Sequence, residues 1–371
     1  MVAYDMSDLW HRLEKKVEQM IRQLDGKSPH AAGKDGKYDS LAIDWWTSGF
    51  WPGILWIMYK QSKNPLFKEA AWTWDENIES MLIQENDFYH DLGFQFLPTA
   101  VAKYKYSGDI QSKRRGLTAA TLLAGRYNPE GRFIRAWNGS QDTGWAIIDC
   151  TMNLSLLYWA SIETNDPRFR HVATAHADTT IKHFIRPDGS VHHIVSFDPE
   201  TGERIEALGG QGFSPTSAWS RGQAWAIYGL ANTARNTGDA RFLDASKRAA
   251  HYWMAALPED RIPYWDFRIS PFDEHEPRDT SAAAIAASGL LELSELVPED
   301  QAAMYRNTAI QMLVSLDQNY GTWNNSEHEG ILTGGTAHKP DNWNVDVSLI
   351  YGDYFFVEAV AKLLHWQDRI F

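Results

Sequence analysis

The chain predicts an all-α fold: an (α/α)6 double-ring toroid with short β-hairpins on the rim of a pocket. Three observations carry that expectation: twelve helical stretches that alternate strictly between two kinds, a turn motif repeated between them, and polar residues set into apolar helix starts. Outer stretches with one polar face are expected near 7–24, 65–84, 110–126, 167–186, 239–256 and 298–316, judged by 3.6-residue periodicity. Inner stretches, apolar nearly all round, fall near 44–60, 91–106, 145–163, 219–236, 279–295 and 350–366. A helix with no polar face has to be buried, so six of them require a central layer wrapped by a second one.

The connectors support the pairing. Asn64-Pro65-Leu66-Phe67, Asn165-Asp166-Pro167-Arg168-Phe169 and Gly238-Asp239-Ala240-Arg241-Phe242 each follow an inner stretch and precede an outer one. Asn or Gly is read as ending the first helix, Asp or Pro as opening the second, and Phe as stapling the pair. Repeated turns of this kind mean repeated helical hairpins. An open superhelical array is the rival arrangement, but it carries polar capping repeats that this sequence lacks, so a closed ring is expected. Closure gathers the inner helix starts at one end. Asp44, Asp91, Asp149, Arg221, Asp279 and Asp353 then stand together there as a pocket floor. Short β segments near Arg132–Trp137, Val191–Phe197 and Ile262–Phe267 lie in connections entering inner helices and are expected to form hairpins on the rim.

Composition sets the limits. No stretch rich in Pro, Gly or Ser divides the 371 residues, so one catalytic domain spanning 1–371 is expected. The 17 Trp, 15 Tyr and 16 Phe are numerous enough both to pack helices and to line a sugar site. With 35 basic against 48 acidic residues, net charge −13 and no basic run, nucleic acid is excluded as a partner. No apolar run approaches bilayer length, which excludes a membrane role. The N-terminal stretch mixes Asp5, Asp8, Glu14, Lys15 and Lys16 where a secretory signal would be basic and then apolar. One cysteine, Cys150, rules out a disulfide framework, and the cytoplasm is the expected compartment. The histidines lack ligand-like spacing, so no metal or other cofactor is expected.

The strongest chemical signal is Asp149, held in Ala146-Ile147-Ile148-Asp149-Cys150 with Asn153 one turn on. A charge among aliphatics at the start of a buried helix is costly unless it caps, pairs or works. Asp91, between His90 and Leu92-Gly93-Phe94, repeats the arrangement, so the two are either helix caps or a convergent acid/base pair. Keeping an ordinary Asp protonated at pH 7 costs about 4 kcal/mol. Burial and a second carboxylate both reduce that cost, and Asp149 is expected to be the raised one. Arg221 and Trp225, four residues apart, share a helix face suited to an anionic ring: Arg221 for a carboxylate, Trp225 for stacking. The alternative is a structural Arg221 paired with Asp149 or Asp91. Trp46, Trp137 and His90 join the candidate substrate-binding set.

Several separate motifs, in one order, carry a resemblance. Asp44-Trp45-Trp46-Thr47-Ser48-Gly49-Phe50-Trp51, His90-Asp91-Leu92-Gly93-Phe94, Ile148-Asp149-Cys150 with Asn153-Leu154, Trp219-Ser220-Arg221-Gly222-Gln223-Ala224-Trp225, Tyr264-Trp265-Asp266-Phe267, Arg278-Asp279-Thr280-Ser281-Ala282 and Tyr351-Gly352-Asp353-Tyr354 span nearly the whole chain. Together they resemble the unsaturated glucuronyl hydrolases of glycoside hydrolase family 88. The resemblance implies a bacterial-type cytoplasmic enzyme acting on short oligosaccharides that end in a 4,5-unsaturated uronic acid, by hydrating the vinyl ether without a metal or cofactor. It implies Asp149 as general acid/base and Asp91 as the group that binds ring hydroxyls and helps hold Asp149 protonated. By the same likeness His193, Gln211, Arg221 and Trp225 bind or stack on the uronate. The loop 334–341 is expected to set the leaving sugar, with Lys339, His338 and Thr336 as a weak anion site for a sulfate. The rival readings are an unsaturated rhamnogalacturonyl hydrolase, an inverting (α/α)6 glycosidase using Asp91 and Asp149 on saturated sugars, and a non-catalytic helical binding module.

Overall fold

The computed structural model describes residues 4–371 apart from 85, 87, 271 and 274. Helices alternate outer, inner along the chain. Outer α1 (Met6–Gln23) leads to inner α2 (Phe50–Ser62). Outer α3 (Pro65–Ala71) and α4 (Trp74–Glu79) lead to an inner helix in two parts, α5 (Leu92–Phe96) and α6 (Ala102–Ser107), joined by a π-helical turn at Leu97–Val101. Then α7 (Ile110–Gly125) precedes α8 (Cys150–Thr164), α9 (Pro167–His183) precedes α10 (Ser220–Thr237), α11 (Ala240–Ala256) precedes α12 (Thr280–Ser294), and α13 (Glu299–Tyr320) precedes α14 (Ile350–Leu363).

Burial follows the pattern of side chains. Every residue of α12 is buried, as is α8 from Cys150 to Ser161 and α10 from Ser220 to Ala234. In α1 only the stripe Leu9, Trp10, Leu13, Lys16, Val17 and Met20 is buried, the i, i+3, i+4 spacing of a one-faced helix. Inner helices pack in sequence, α5 on α8, α8 on α10, α10 on α12, α12 on α14, and α14 packs back on α2. The ring is therefore closed, an (α/α)6 toroid. Close crossings need small residues: a Cβ on Gly229 of α10 would lie 2.7 Å from the Thr151 carbonyl carbon of α8.

The hairpin turns behave as read, with one exchange of roles. Asn165 and Gly238 take left-handed conformations at helix ends, and Asp166 and Asp239 cap the next helices by accepting from the Arg168 and Arg241 N–H groups. Gly108-Asp109 uses the same device and was not singled out in the sequence. Before α3, however, Lys63 is the left-handed residue, so Asn64 does not end α2 but caps α3 through the Leu66 N–H.

Short strands decorate the end where inner helices begin. β1 (Tyr127–Asn128) pairs antiparallel with β2 (Phe133–Ile134). β3 (Trp145–Ile147), β4 (Ile194–Phe197) and β5 (Arg204–Leu208) form an antiparallel sheet in that order, with Ile147 opposite Ile194 and Ile194 opposite Leu208. β6 (Gly335–His338) pairs with β7 (Trp343–Val347) in a further antiparallel hairpin. Three expectations are corrected here. Residues 145–147, read as helix, are strand. The segment 262–267 makes only isolated bridges, Trp219 with Asp266 and Tyr264 with Arg278. The stretch read as a plain loop at 334–341 contains β6.

The expected six-residue floor is also reduced. Asp44 lies well before α2 and does not head a helix. Asp279 caps α12, accepting from the Ser281 and Ala282 N–H groups, and Asp353 in the first turn of α14 accepts from Ile331 N–H, Leu332 N–H and the Tyr38 hydroxyl. These two carboxylates hold loops in place and leave Asp91, Asp149 and Arg221 for the pocket. Among the described residues no helix is long and apolar enough to cross a membrane.

Candidate active site

A pocket of about 250 Å³ opens at this end, lined by Trp45, Trp46, Tyr89, His90, Asp91, Trp137, Ile147, Asp149, His193, Ile194, Gly210, Gln211, Arg221, His338 and Trp343. Of the ten candidate residues, eight meet there: Trp46, His90, Asp91, Trp137, Asp149, His193, Gln211 and Arg221. Local structure explains the convergence. The β3–β4 ladder continues past its last pair, with Ile148 N–H donating to the His193 carbonyl at 3.0 Å, which sets the His193 ring beside Asp149. Arg126 pins the Trp137 loop by donating to the Arg135, Ala136 and Trp137 carbonyls. The His90 N–H bonds the Ala136 carbonyl, so the Asp91 segment is tied to the same loop.

Both aspartates occupy N-cap positions, Asp91 before α5 and Asp149 before α8, yet neither side chain makes a capping hydrogen bond. The cap reading therefore fails for both. Asn153 joins their helices: its Oδ1 accepts from the Phe94 N–H at 2.7 Å, and its Nδ2 donates to the Asp149 carbonyl at 3.4 Å. Gly93 makes that contact possible, because a Cβ there would lie 2.6 Å from the Asn153 Cα.

Burial pushes the Asp149 carboxyl up to about 7, against the pull of Arg221, of a backbone N–H and of the facing Trp225 indole. Asp91 is raised well above the carboxylate range by burial and then by the charge of Asp149, with Arg126 opposing. The electrostatic coupling thus falls on Asp91. Near neutrality Asp91 stays uncharged while Asp149 exchanges its proton, a fuller picture than the expectation that Asp149 alone is raised.

Unmet polar atoms gather around Asp149. Its Oδ1, His193 Nε2 and Trp225 Nε1 are all buried without an ordinary hydrogen-bond partner, and the first two face each other at 3.8 Å. The Gln211 N–H donates to His193 Nδ1 at 3.0 Å, which assigns the ring proton to Nε2, and burial lowers the pKa of His193 to about 3. A neutral imidazole N–H therefore points at the carboxyl group. Buried polar atoms left unsatisfied in a cavity are places for a ligand or water to bond. Among the described residues, no cluster of His, Cys, Asp and Glu has the arrangement of a metal site.

Arg221 is almost wholly buried and pairs with neither active-site aspartate. It donates to Asp279 at 2.7 Å and to the Thr336 and Ala337 carbonyls at 2.6 Å each, which fastens the β6–β7 hairpin over the pocket. Gln211 adds a bond to the same Ala337 carbonyl. Two candidate roles are corrected. Trp225 is fully buried, packed on Phe94 and Phe355 beneath the floor, and offers no face for stacking on a sugar. Lys339 does not line the pocket, and the Thr336 hydroxyl is spent on the Arg278 carbonyl, so the expected sulfate site does not form. Sequence reasoning missed Tyr89, Trp45 and Trp343 as lining residues. Trp45 was legible as the neighbour of Trp46, whereas Trp343 sits on a strand that gave no signal.

Comparison with known proteins agrees with this geometry. The model of Glycosyl Hydrolase Family 88 matches residues 13–325. An unsaturated chondroitin disaccharide hydrolase of Streptococcus pneumoniae is 34% identical, over 94% of this chain and 92% of its own. The solved unsaturated glucuronyl hydrolase of Bacillus sp. GL1 superposes with a TM-score of 0.94 at 33% identity, covering 97% of each chain. A Streptococcus agalactiae unsaturated glucuronyl hydrolase variant complexed with dGlcA-GalNAc6S superposes with a TM-score of 0.81 at 30% identity, covering 96% of this chain and 93% of that one. A closed helical double ring, two raised carboxylates at its mouth and likeness along nearly the full length lead to one conclusion: the chain belongs to glycosyl hydrolase family 88.

Proposed function

We propose that this enzyme hydrolyses lyase-generated oligosaccharides whose non-reducing end is a 4,5-unsaturated uronic acid, with Asp149 as general acid and base. The observation that carries the reading is a buried carboxyl group, its pKa raised to about 7, with unmet hydrogen-bonding atoms around it. An acid poised near the working pH transfers a proton most effectively. Asp149 gives its proton to C4, forming a C–H bond, while the ring oxygen supplies electrons and C5 becomes cationic. The newly charged Asp149 stabilises that cation and then takes a proton from the water that attacks C5. The resulting hemiketal opens, and the hemiacetal left at C1 releases the second sugar.

Asp91, uncharged near neutrality, serves as a hydrogen-bonding partner for ring hydroxyls, and Arg221, Gln211 and the His193 N–H hold the uronate. A single buried thiol, Cys150, fits action in the cytoplasm. The reading is tested by following the conjugated C=C absorbance of an unsaturated disaccharide beside the saturated equivalent. Loss of absorbance with release of the second sugar is expected; turnover of the saturated sugar alone would favour an inverting glycosidase. Because the protonated form of Asp149 is the active one, kcat/KM is expected to hold below about pH 7 and fall roughly tenfold per pH unit above it. A rate that rises through that range would assign the proton to another group.

A further inference from the structure

We propose that the outer part of the pocket selects a leaving sugar without a sulfate group, and that Trp343 is the surface on which that sugar rests. The inference depends on the uronate lying at the floor as described above. The charged side chains lining the pocket are Asp91, Asp149 and Arg221, all drawn from inner-helix starts. Arg221 spends donors on Asp279 and on the hairpin carbonyls. The rim is aromatic: Trp45, Trp46, Tyr89, Trp137 and Trp343.

Trp343 stands out among them because it is 41% exposed while its inner face is supported. It stacks on His30, ring centroids 5.1 Å apart and planes 19° apart, and meets Trp45 edge-on at 6.4 Å. His30 is itself fully buried, with Nδ1 against the Thr47 hydroxyl at 3.3 Å and the Trp45 indole N–H at 3.4 Å. A large flat ring, fixed from behind and open in front at the mouth of a sugar pocket, suits the C–H face of a pyranose.

The same hairpin opposes an anion. His338, which lines the pocket, accepts at Nδ1 from the Asp341 N–H, so its Nε2 proton faces the Asp341 carboxylate at 3.5 Å. From Gly335 to Val347 the hairpin carries one cation, Lys339, against two carboxylates, Asp341 and Asp346. A sulfate on the second sugar would meet Asp341 and find the nearby donors already engaged.

The test compares unsaturated chondroitin disaccharides, unsulfated and 6-sulfated, with the full-length chain and its Trp343→Ala and Trp343→Phe variants, all checked for unchanged melting temperature. Wild type is expected to favour the unsulfated sugar about tenfold in kcat/KM; Trp343→Ala raises its KM by about tenfold with kcat within about threefold, and Trp343→Phe restores most of the KM. Equal or better use of the sulfated sugar overturns the proposal, as does a Trp343→Ala effect on kcat alone or no effect on KM. If wild type consumes neither unsaturated sugar, the functional reading itself falls; turnover without discrimination leaves that reading intact and removes only this proposal.

Discussion

Asp149→Asn is expected to lose on the order of a thousandfold or more in turnover while gaining stability at neutral and alkaline pH. The loss follows from removing the only proton donor that the mechanism uses. The gain follows from burial. In the folded protein the carboxyl is raised from 3.8 to about 7, so the native state binds its proton more tightly than the unfolded chain does. Its contribution to stability is complete below pH 3.8 and is lost as pH rises through about 7, a swing of up to about 4 kcal/mol. Asn does not titrate. The stability difference between variant and wild type should therefore grow in the variant's favour from pH 4 to pH 8, as read by urea unfolding across that range. A constant difference would mean that Asp149 is not held protonated by its surroundings. Asp91→Asn serves as the contrast: Asp91 is already uncharged near neutrality, so a neutral amide keeps part of its function and the activity loss should be smaller than for Asp149→Asn.

Gly93→Ala should be the most damaging substitution that adds only a methyl group and touches no titrating side chain. The new Cβ would lie 2.6 Å from Asn153 Cα and 2.6 Å from its Oδ1, and the first of these is backbone, which cannot rotate away. Helices α5 and α8 must separate, which strains the Phe94–Asn153 bond and shifts Asp91 relative to Asp149. Overpacking of this kind costs about 1–3 kcal/mol. A displacement of about 1 Å between reacting groups costs roughly a hundredfold in rate. The expected result is a folded protein, melting several degrees lower, with kcat down about a hundredfold and the pH limb of Asp149 displaced. Wild-type kinetics from Gly93→Ala would show that the two carboxylates do not depend on this contact.

The ring of helices was legible because all-round apolar sequence, as in Ile350–Ala361, has only one place to go. The pairing of Asp91 with Asp149 was legible for the same reason, since it needed only closure and a common helix polarity. Trp225 was misplaced because four residues along a helix preserve the face but not the depth. Arg221 in the first turn of α10 reaches the pocket, while Trp225, about 5–6 Å further along the axis, is under its floor. The β6–β7 hairpin was invisible because Asn342, Asn344 and Asp346 adopt positive φ, so the strand lacks the two-residue alternation by which strands are recognised. With the hairpin went Trp343 and the true partners of Arg221. β3 was lost to its own brevity: Trp145-Ala146-Ile147 reads as continuous with the apolar helix behind it.

The contact of α14 with α2 reaches beyond architecture. A nascent chain leaving the ribosome has both reactive carboxylates in hand early, but it lacks Asp279, the hairpin clamp and the helix that seals the circle. Contacts between segments so far apart in the chain form late and slowly. Competence should thus arrive in one late step, and the half-made molecule, with its inner surfaces bare, is the stage at which aggregation threatens it most.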